Sequence, residues 1–186
     1  MGPLPPPQTP PLQIIDILKF AASAHGRREI VSRLVDEPLW RYTYADCLRR
    51  TAQAANALKR LGVKAGDRVT SLAWNTHRHL ELFYAVPGLG AVLHTANPRL
   101  FDEQIIYTIN HAESRIVLFD RNFLAVVERI APQLPNIRTW IMLSDEQRTT
   151  PGAVNALSYE TLLAKESNTI AWPANDENTG GGGGAL

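Results

Sequence analysis

Cysteine is nearly absent from this chain of 186 residues: Cys47 stands alone. An internal disulfide and a cysteine-cluster metal site are thereby excluded, and a reducing cytoplasmic setting is the expectation. Charge of one sign is also missing, with a net charge of only +1. Nucleic acid and anionic membrane surfaces have no electrostatic claim on such a chain. No apolar run approaches the length of a membrane span, so no transmembrane segment is expected. The amino terminus has no basic flank before a long apolar block, and its first basic side chain is Lys19, which speaks against secretory and transit signals. Residues are 45% hydrophobic and 20% charged, the balance of an ordinary soluble domain with a core.

Short apolar runs organise the middle of the chain: Arg68–Ala73, Ala91–Thr95, Ile116–Phe119 and Ile137–Leu143. Helical-period segments separate them. Alternation of this kind defines βαβ units, whose parallel strands are covered by helices on both faces and read as continuously apolar. The fold class expected is α/β, a doubly wound and mostly parallel sheet flanked by helices. Such sheets bind ligands beyond the carboxyl ends of their strands. The loops of interest are Trp74–Thr76, Ala96–Arg99 and Asp120–Asn122.

Before that core, Gly2–Pro11 is proline-dense and reads as an extended tail, with docking to an aromatic groove as the alternative. A helix is expected over Leu12–Ala24, with Ile14, Ile17, Leu18 and Ala21 inward and Gly26 left-handed past its end. Glu29–Leu34 and Leu39–Thr43 form a small amino-terminal β-hairpin, expected to cover one edge. Thr43 and Asp46 resemble a capping box for a helix reaching Leu61, with Leu48, Ala52, Ala55 and Leu58 inward and Cys47 packed beside them. Asn75 is placed as the cap of the helix His77–Leu89, and Asn122 as the cap of the next helix but one. After Leu143 periodicity fades, apart from a short capped helix within Ser158–Lys165. The glycine run Gly180–Gly184 is read as a tail.

Signals for chemistry are sparse. Gly88-Leu89-Gly90 lacks the third glycine of a dinucleotide fingerprint and sits between helix and strand in the wrong order. Gly180–Gly184 has no lysine or hydroxyl residue after it, as a phosphate loop requires. His77-Arg78-His79 has no partner at metal-ligand spacing and reads as a solvated helix end; an anion at that helix start is the alternative. His94 reads as a satisfied core histidine, with a crevice role as the alternative. Arg99 and Arg121 lie just past strand carboxyl ends, where arginine suits a phosphate; a surface salt bridge is the alternative. No Ser/His/Asp order, carboxylate pair or zinc spacing is present.

Several segments resemble one family in order and at its spacing. Thr43-Tyr44-Ala45-Asp46-Cys47-Leu48 resembles the first core motif of the adenylate-forming enzymes, the acyl-CoA synthetases among them. Leu61–Val69, Ala73–Leu80, Ala85–Leu100 and Asn110–Glu113 are similar to the medium- and long-chain fatty-acyl-CoA ligases and the methylmercaptopropionate–CoA ligase group. The likeness spans about Leu12 to Thr179. It implies a parent enzyme, an ATP-dependent acid–thiol ligase, that uses ATP, Mg and CoA to activate a fatty acid. It also implies that Arg99 and Arg121 border a CoA channel.

Family members continue past a segment like Asp176–Thr179 into a Ser/Thr/Gly-rich phosphate loop ending in Pro-Lys-Gly, which this sequence lacks. The expectation is an incomplete acyl-CoA synthetase N-domain, catalytically inactive by itself, with no catalytic residue, no metal site and no cofactor bound alone. Residues 1–11 form a tail, 12–165 a partial AMP-binding unit and 166–186 an irregular, glycine-rich tail. A non-catalytic CoA-binding or protein-interaction module is the alternative, and a face left uncovered by missing sequence makes self-association an expectation.

Overall fold

The computed structural model describes residues 12–35, 37–145 and 154–175. The proline-dense segment 2–11 and the glycine run 180–184 lie outside the described residues.

The four apolar runs are strands, slightly shorter than their hydrophobic limits: β3 (Arg68–Leu72), β4 (Val92–Thr95), β5 (Ile116–Phe119) and β6 (Thr139–Met142). A fifth, β7 (Ala156–Ser158), follows a polar stretch. Its three residues are too short to show a period. All five pair in parallel in the order β4-β3-β5-β6-β7. Successive strands therefore add first on one side of β3 and then on the other. The reversal falls between β3 and β5, and doubly wound sheets open a ligand crevice at such a point.

β5 is buried throughout, and its residues alternate between two cores. Ile116 and Leu118 face α2 (Tyr44–Arg60), α3 (His77–Gly88) and α6 (Tyr159–Leu163). Val117 and Phe119 face α4 (Asp102–His111) and α5 (Leu124–Ile130). Alanines at 54, 55 and 57 give α2 a flat face in the first core, so its axis lies close to α3.

The capping box at Thr43 is present: Asp46 N–H donates to the Thr43 hydroxyl at 3.2 Å, and the Asp46 carboxylate accepts the Thr43 N–H at 2.9 Å. Gly90 supplies a left-handed φ of 76° between α3 and β4, which a residue with a Cβ rarely adopts. Cys47 is fully buried, and burial pushes its thiol up to about 11, consistent with a packing role.

Several local expectations are corrected. In α1 (Ile14–His25) the buried residues are Ile15 and Leu18, while Ile17 is 60% exposed. The helix is rotated so that Ile15 meets Tyr42 and Cys47. Gly26 is right-handed (φ −53°), and its carbonyl accepts the Ala45 N–H at 3.1 Å, linking α1 to the start of α2. The antiparallel hairpin of β1 (Glu29–Ser32) and β2 (Trp40–Thr43) rests on α2 and α3 rather than along a sheet edge. Thr76, not Asn75, caps α3, and Asn122 caps nothing because a 3-10 turn, Arg121–Phe123, precedes α5.

Residues 166–175, assigned from sequence to the irregular tail, are irregular but held. Gln53 donates to the Glu166 carbonyl at 3.4 Å, and Asn56 to those of Ser167 and Thr169 at 2.9 and 3.1 Å. Asn175 donates to the Pro87 and Gly88 carbonyls that end α3. Trp172 lies over Gly88, where an added Cβ would stand 2.5 Å from its ring. Gly88→Ala is therefore expected to lift Trp172 and cost about 1–3 kcal/mol. Amide hydrogen exchange across 167–175 should accelerate; unchanged exchange would show that Gly88 does not seat this segment.

Candidate functional site

The reversal point is built from the two loops that leave β3 and β5. Trp74 N–H donates to the Asp120 carboxylate at 2.6 Å, which ties the loops together across the crevice. Asp120 is 7% exposed. Burial pushes its carboxyl up to about 6, against the pull of the Trp74 N–H and the Arg78 cation. Leu34 and Glu37, from the loop inside the hairpin, close the side, and Thr76, Arg78, Asp120 and Arg121 complete a cavity of about 200 Å³.

His77, Arg78 and His79 are buried, not solvated. The first turn of α3 is wedged between the hairpin and the carboxyl ends of the sheet, with the His77 N–H donating to the Ser32 hydroxyl at 2.9 Å. Arg78 meets anions, as one alternative reading allowed, but they belong to the protein. It donates to Glu160 at 2.8 Å, to the Leu143 carbonyl at 3.0 Å, to Asp145 at 2.9 Å and, more loosely, to Glu37 at 3.4 Å. Glu160 also accepts two bonds from Arg50 at 2.9 Å, and Arg50 reaches Glu81 at 2.7 Å. Glu81 is wholly buried and accepts the Tyr159 hydroxyl at 2.8 Å. Burial pushes its carboxyl up, and the Arg50 and Tyr159 donors pull it back.

The histidines are held neutral. His77 stacks on Trp40 at 4.6 Å, and burial, helped by the Arg78 and Arg50 cations, lowers it to about 3. His79 shares a bond with the Ser71 hydroxyl at 2.9 Å and is lowered by burial. His94 is the core histidine expected, bonded to the Thr70 hydroxyl at 2.9 Å inside the sheet and likewise lowered by burial.

Arg99 and Arg121 are both exposed beside these loops. Arg121 lines the cavity, whereas Arg99 lies over the Trp74 ring at 5.9 Å and is not among the lining residues. Trp74 packs in turn on Phe123 at 5.1 Å, so a tilted ring pair joins the two loops beneath Arg99. Sequence reasoning singled out the loop of Asp120 but not its carboxylate. A lone acid closing a four-residue apolar run was the available signal. Glu160 and Glu37 had none, because their link to Arg78 spans 82 and 41 positions.

An open parallel sheet with its crevice at the reversal point defines the class: a doubly wound α/β domain of the ligand-binding kind. The profile of the AMP-binding enzyme family matches residues 18–176, and the chain belongs to that family. It is 41% identical over 162 residues to the long-chain-fatty-acid–CoA ligase of Thermus thermophilus, covering 87% of this chain and 29% of that protein. It is 38% identical over 172 residues to the 3-methylmercaptopropionyl-CoA ligase of Ruegeria lacuscaerulensis, covering 92% and 32%. The crystal structure of an anthranilate–CoA ligase with anthranoyl-AMP superposes with a TM-score of 0.80 at 19% identity, over 92% of this chain and 31% of that one. At that identity the likeness shows the fold. The chain spans about 30% of the length of these relatives. Among the described residues no helix is long and apolar enough to cross a membrane.

The neutral His77 gives the fold a pH signature. The unfolded ring protonates near its ordinary value of 6.5 and the folded ring only near 3, so between these values the unfolded chain holds the extra proton. Stability then falls as pH drops through that window, by up to about 1.4 kcal/mol per pH unit from this group. His79 and His94 act with the same sign. Asp120, raised in the fold, acts with the opposite sign. His77→Phe keeps the stacking and removes the proton. Denaturant titrations between about pH 7 and about pH 5 should show a slope shallower by roughly one proton than the parent. An equal slope would mean that His77 is not held neutral.

Proposed function

We propose that this chain forms the amino-terminal part of a fatty-acyl-CoA ligase. In the whole enzyme a fatty-acid carboxylate oxygen attacks the α-phosphorus of ATP, forming acyl-AMP as the bond to pyrophosphate breaks. The CoA thiol then attacks the acyl carbon, and AMP leaves with the electrons of the broken acyl–oxygen bond. The observation that carries this reading is the 41% identity to a long-chain ligase over 162 residues. A preformed crevice at the sheet's reversal point supports it, because the loops leaving β3 and β5 would then form one wall of a larger site.

Within that reading Arg99 and Arg121 border the path of CoA. Both are exposed cations beside the Trp74–Phe123 ring pair, Arg121 on the loop leaving β5 and Arg99 over the Trp74 ring, and guanidinium suits phosphate. Asp120 acts as a positioning residue that fixes the distance between the two loops.

A polypeptide of these 186 residues should not catalyse adenylation, because it contains no Ser/Thr/Gly-rich stretch ending in Pro-Lys-Gly to hold the triphosphate. ATP–pyrophosphate exchange with a panel of carboxylic acids is expected to stay at background. Robust exchange would overturn the inactive-portion reading. CoA added to the chain tests the arginines: amide NMR shifts at 97–100 and 120–123 should be lost in Arg99→Glu/Arg121→Glu. Unchanged shifts there in that variant would remove both from the CoA path.

A further inference from the structure

A cavity of about 590 Å³ lies at the opposite end of the sheet, under the amino ends of β3, β5 and β6. Three arginines line it: Arg68, Arg115 and Arg138. Their placement is set by register. Val69 pairs with Ile116, and Ile116 with Thr139, so the residue preceding each stands in the same row on three adjacent strands. Parallel neighbours are about 4.8 Å apart, so this row sets three guanidinium-bearing backbones side by side. Like charges directly opposite one another cost stability, and a charged row of this kind is expected to be neutralised by its surroundings.

Only one of the three is. Arg68 donates to the Ala112 carbonyl at the end of α4 at 2.7 Å and to the Glu113 carboxylate at 2.7 Å. That pairing takes up Glu113, an acid of the cavity wall, and the carbonyl end of α4, whose negative dipole would otherwise repel an anion. Asp67, the other acid on the cavity wall, already accepts the Lys64 N–H at 2.8 Å. Arg115 and Arg138 are exposed, and among the described residues their side chains have neither hydrogen bond nor ion pair. Their backbones are fixed against each other, the Arg138 N–H donating to the Arg115 carbonyl at 2.8 Å. Two rigidly based, unneutralised guanidinium groups thus share one concave, largely polar wall.

We propose that this amino-end cavity binds a small molecule bearing two or more phosphates, clamped between Arg115 and Arg138. Planar guanidinium forks match phosphate oxygens two at a time, and paired phosphates would neutralise the row that the fold leaves charged. The volume leaves room for an organic body between or beside the phosphates. This site is separate from the crevice at the carboxyl ends, so it stands or falls independently of the ligase reading.

The test is calorimetric titration of the 186-residue chain, at low ionic strength, with inorganic pyrophosphate, with fructose 1,6-bisphosphate and with fructose. The two phosphate probes are expected to bind saturably and to weaken steeply with added salt. Fructose should be silent. Affinity should fall at least tenfold in Arg115→Gln/Arg138→Gln and stay unchanged in Arg27→Gln, an exposed cation just past α1 that lines neither cavity. Tighter binding of the bisphosphate would assign an organic ligand, and equal or weaker binding a free oligophosphate; either supports the site. Because both substituted residues are exposed, the variant should keep the parent's circular dichroism, and amide NMR shifts on adding pyrophosphate to the parent should cluster at 61–69, 113–116 and 135–139. No saturable binding of either probe, undiminished affinity in the double variant, or shifts confined to the carboxyl end would overturn it.

Discussion

The guanidinium of Arg78 is buried at the first turn of α3, and a buried cation must be answered by anions or carbonyls. Three separate pieces of chain answer it: the hairpin loop through Glu37, the end of β6 through Leu143 and Asp145, and α6 through Glu160. The partners do not weigh equally. Asp145 is 79% exposed, so its contact is screened by water and contributes little. Glu160 is 22% exposed and also holds Arg50, which reaches Glu81 in the core. Arg78 and Arg50 therefore share one carboxylate and lock α2, α3 and α6 over the same face of the sheet. Replacing such a network by apolar side chains of the same shape could leave stability unchanged, whereas removing one partner strands the others. Its consequence is coupling: the shared Glu160 carboxylate ties the positions of the three helices to one another.

That coupling is what the crevice needs. The first turn of α3 and the 3-10 turn after β5 form its two walls, and Asp120 spans them by holding the Trp74 N–H. A carboxylate between two loops sets their separation without adding a residue to either. Because Arg78 is occupied by protein anions, it fixes a wall of the crevice instead of serving a ligand. Arg121 stands on the cavity wall there, and Arg99 lies over Trp74.

Features governed by short-range periodicity were legible in the sequence. The continuous apolar run of β5 marked a strand covered on both faces, and Thr43 with Asp46 marked a helix start, because both signals lie within a few residues. The parallel, doubly wound class followed from alternation alone. What failed was governed by long-range packing. Ile17 fits a helical stripe as well as Ile15 does, and only the position of Tyr42 and Cys47 decides which is buried. His77-Arg78-His79 looks solvated because its partners are up to 82 positions away. β7 was missed because three residues carry no period. Residues 166–175 have none either, yet are held by side-chain donors on α2 and their own Asn175 donating to the end of α3. At the crevice, the rule that such sheets bind at the carboxyl ends of their strands pointed to the loops but not to the carboxylates Asp120 and Glu160 that hold them.

The two ends of the sheet answer the same electrostatic problem differently. At the carboxyl end the buried guanidinium groups of Arg78 and Arg50 are matched by Glu160, Glu81 and Glu37, and the histidines among them stay neutral. Charge there is spent inside the protein, which suits a surface whose shape must be fixed before anything binds. At the amino end strand register lines up Arg68, Arg115 and Arg138, and among the described residues only Arg68 is matched. Register cannot be shifted by one residue to relieve the row, because a slip would turn Ile116 and Leu118 away from the core that α2 and α3 complete. The hydrophobic pattern that makes the sheet thus also dictates where its uncompensated positive charge stands.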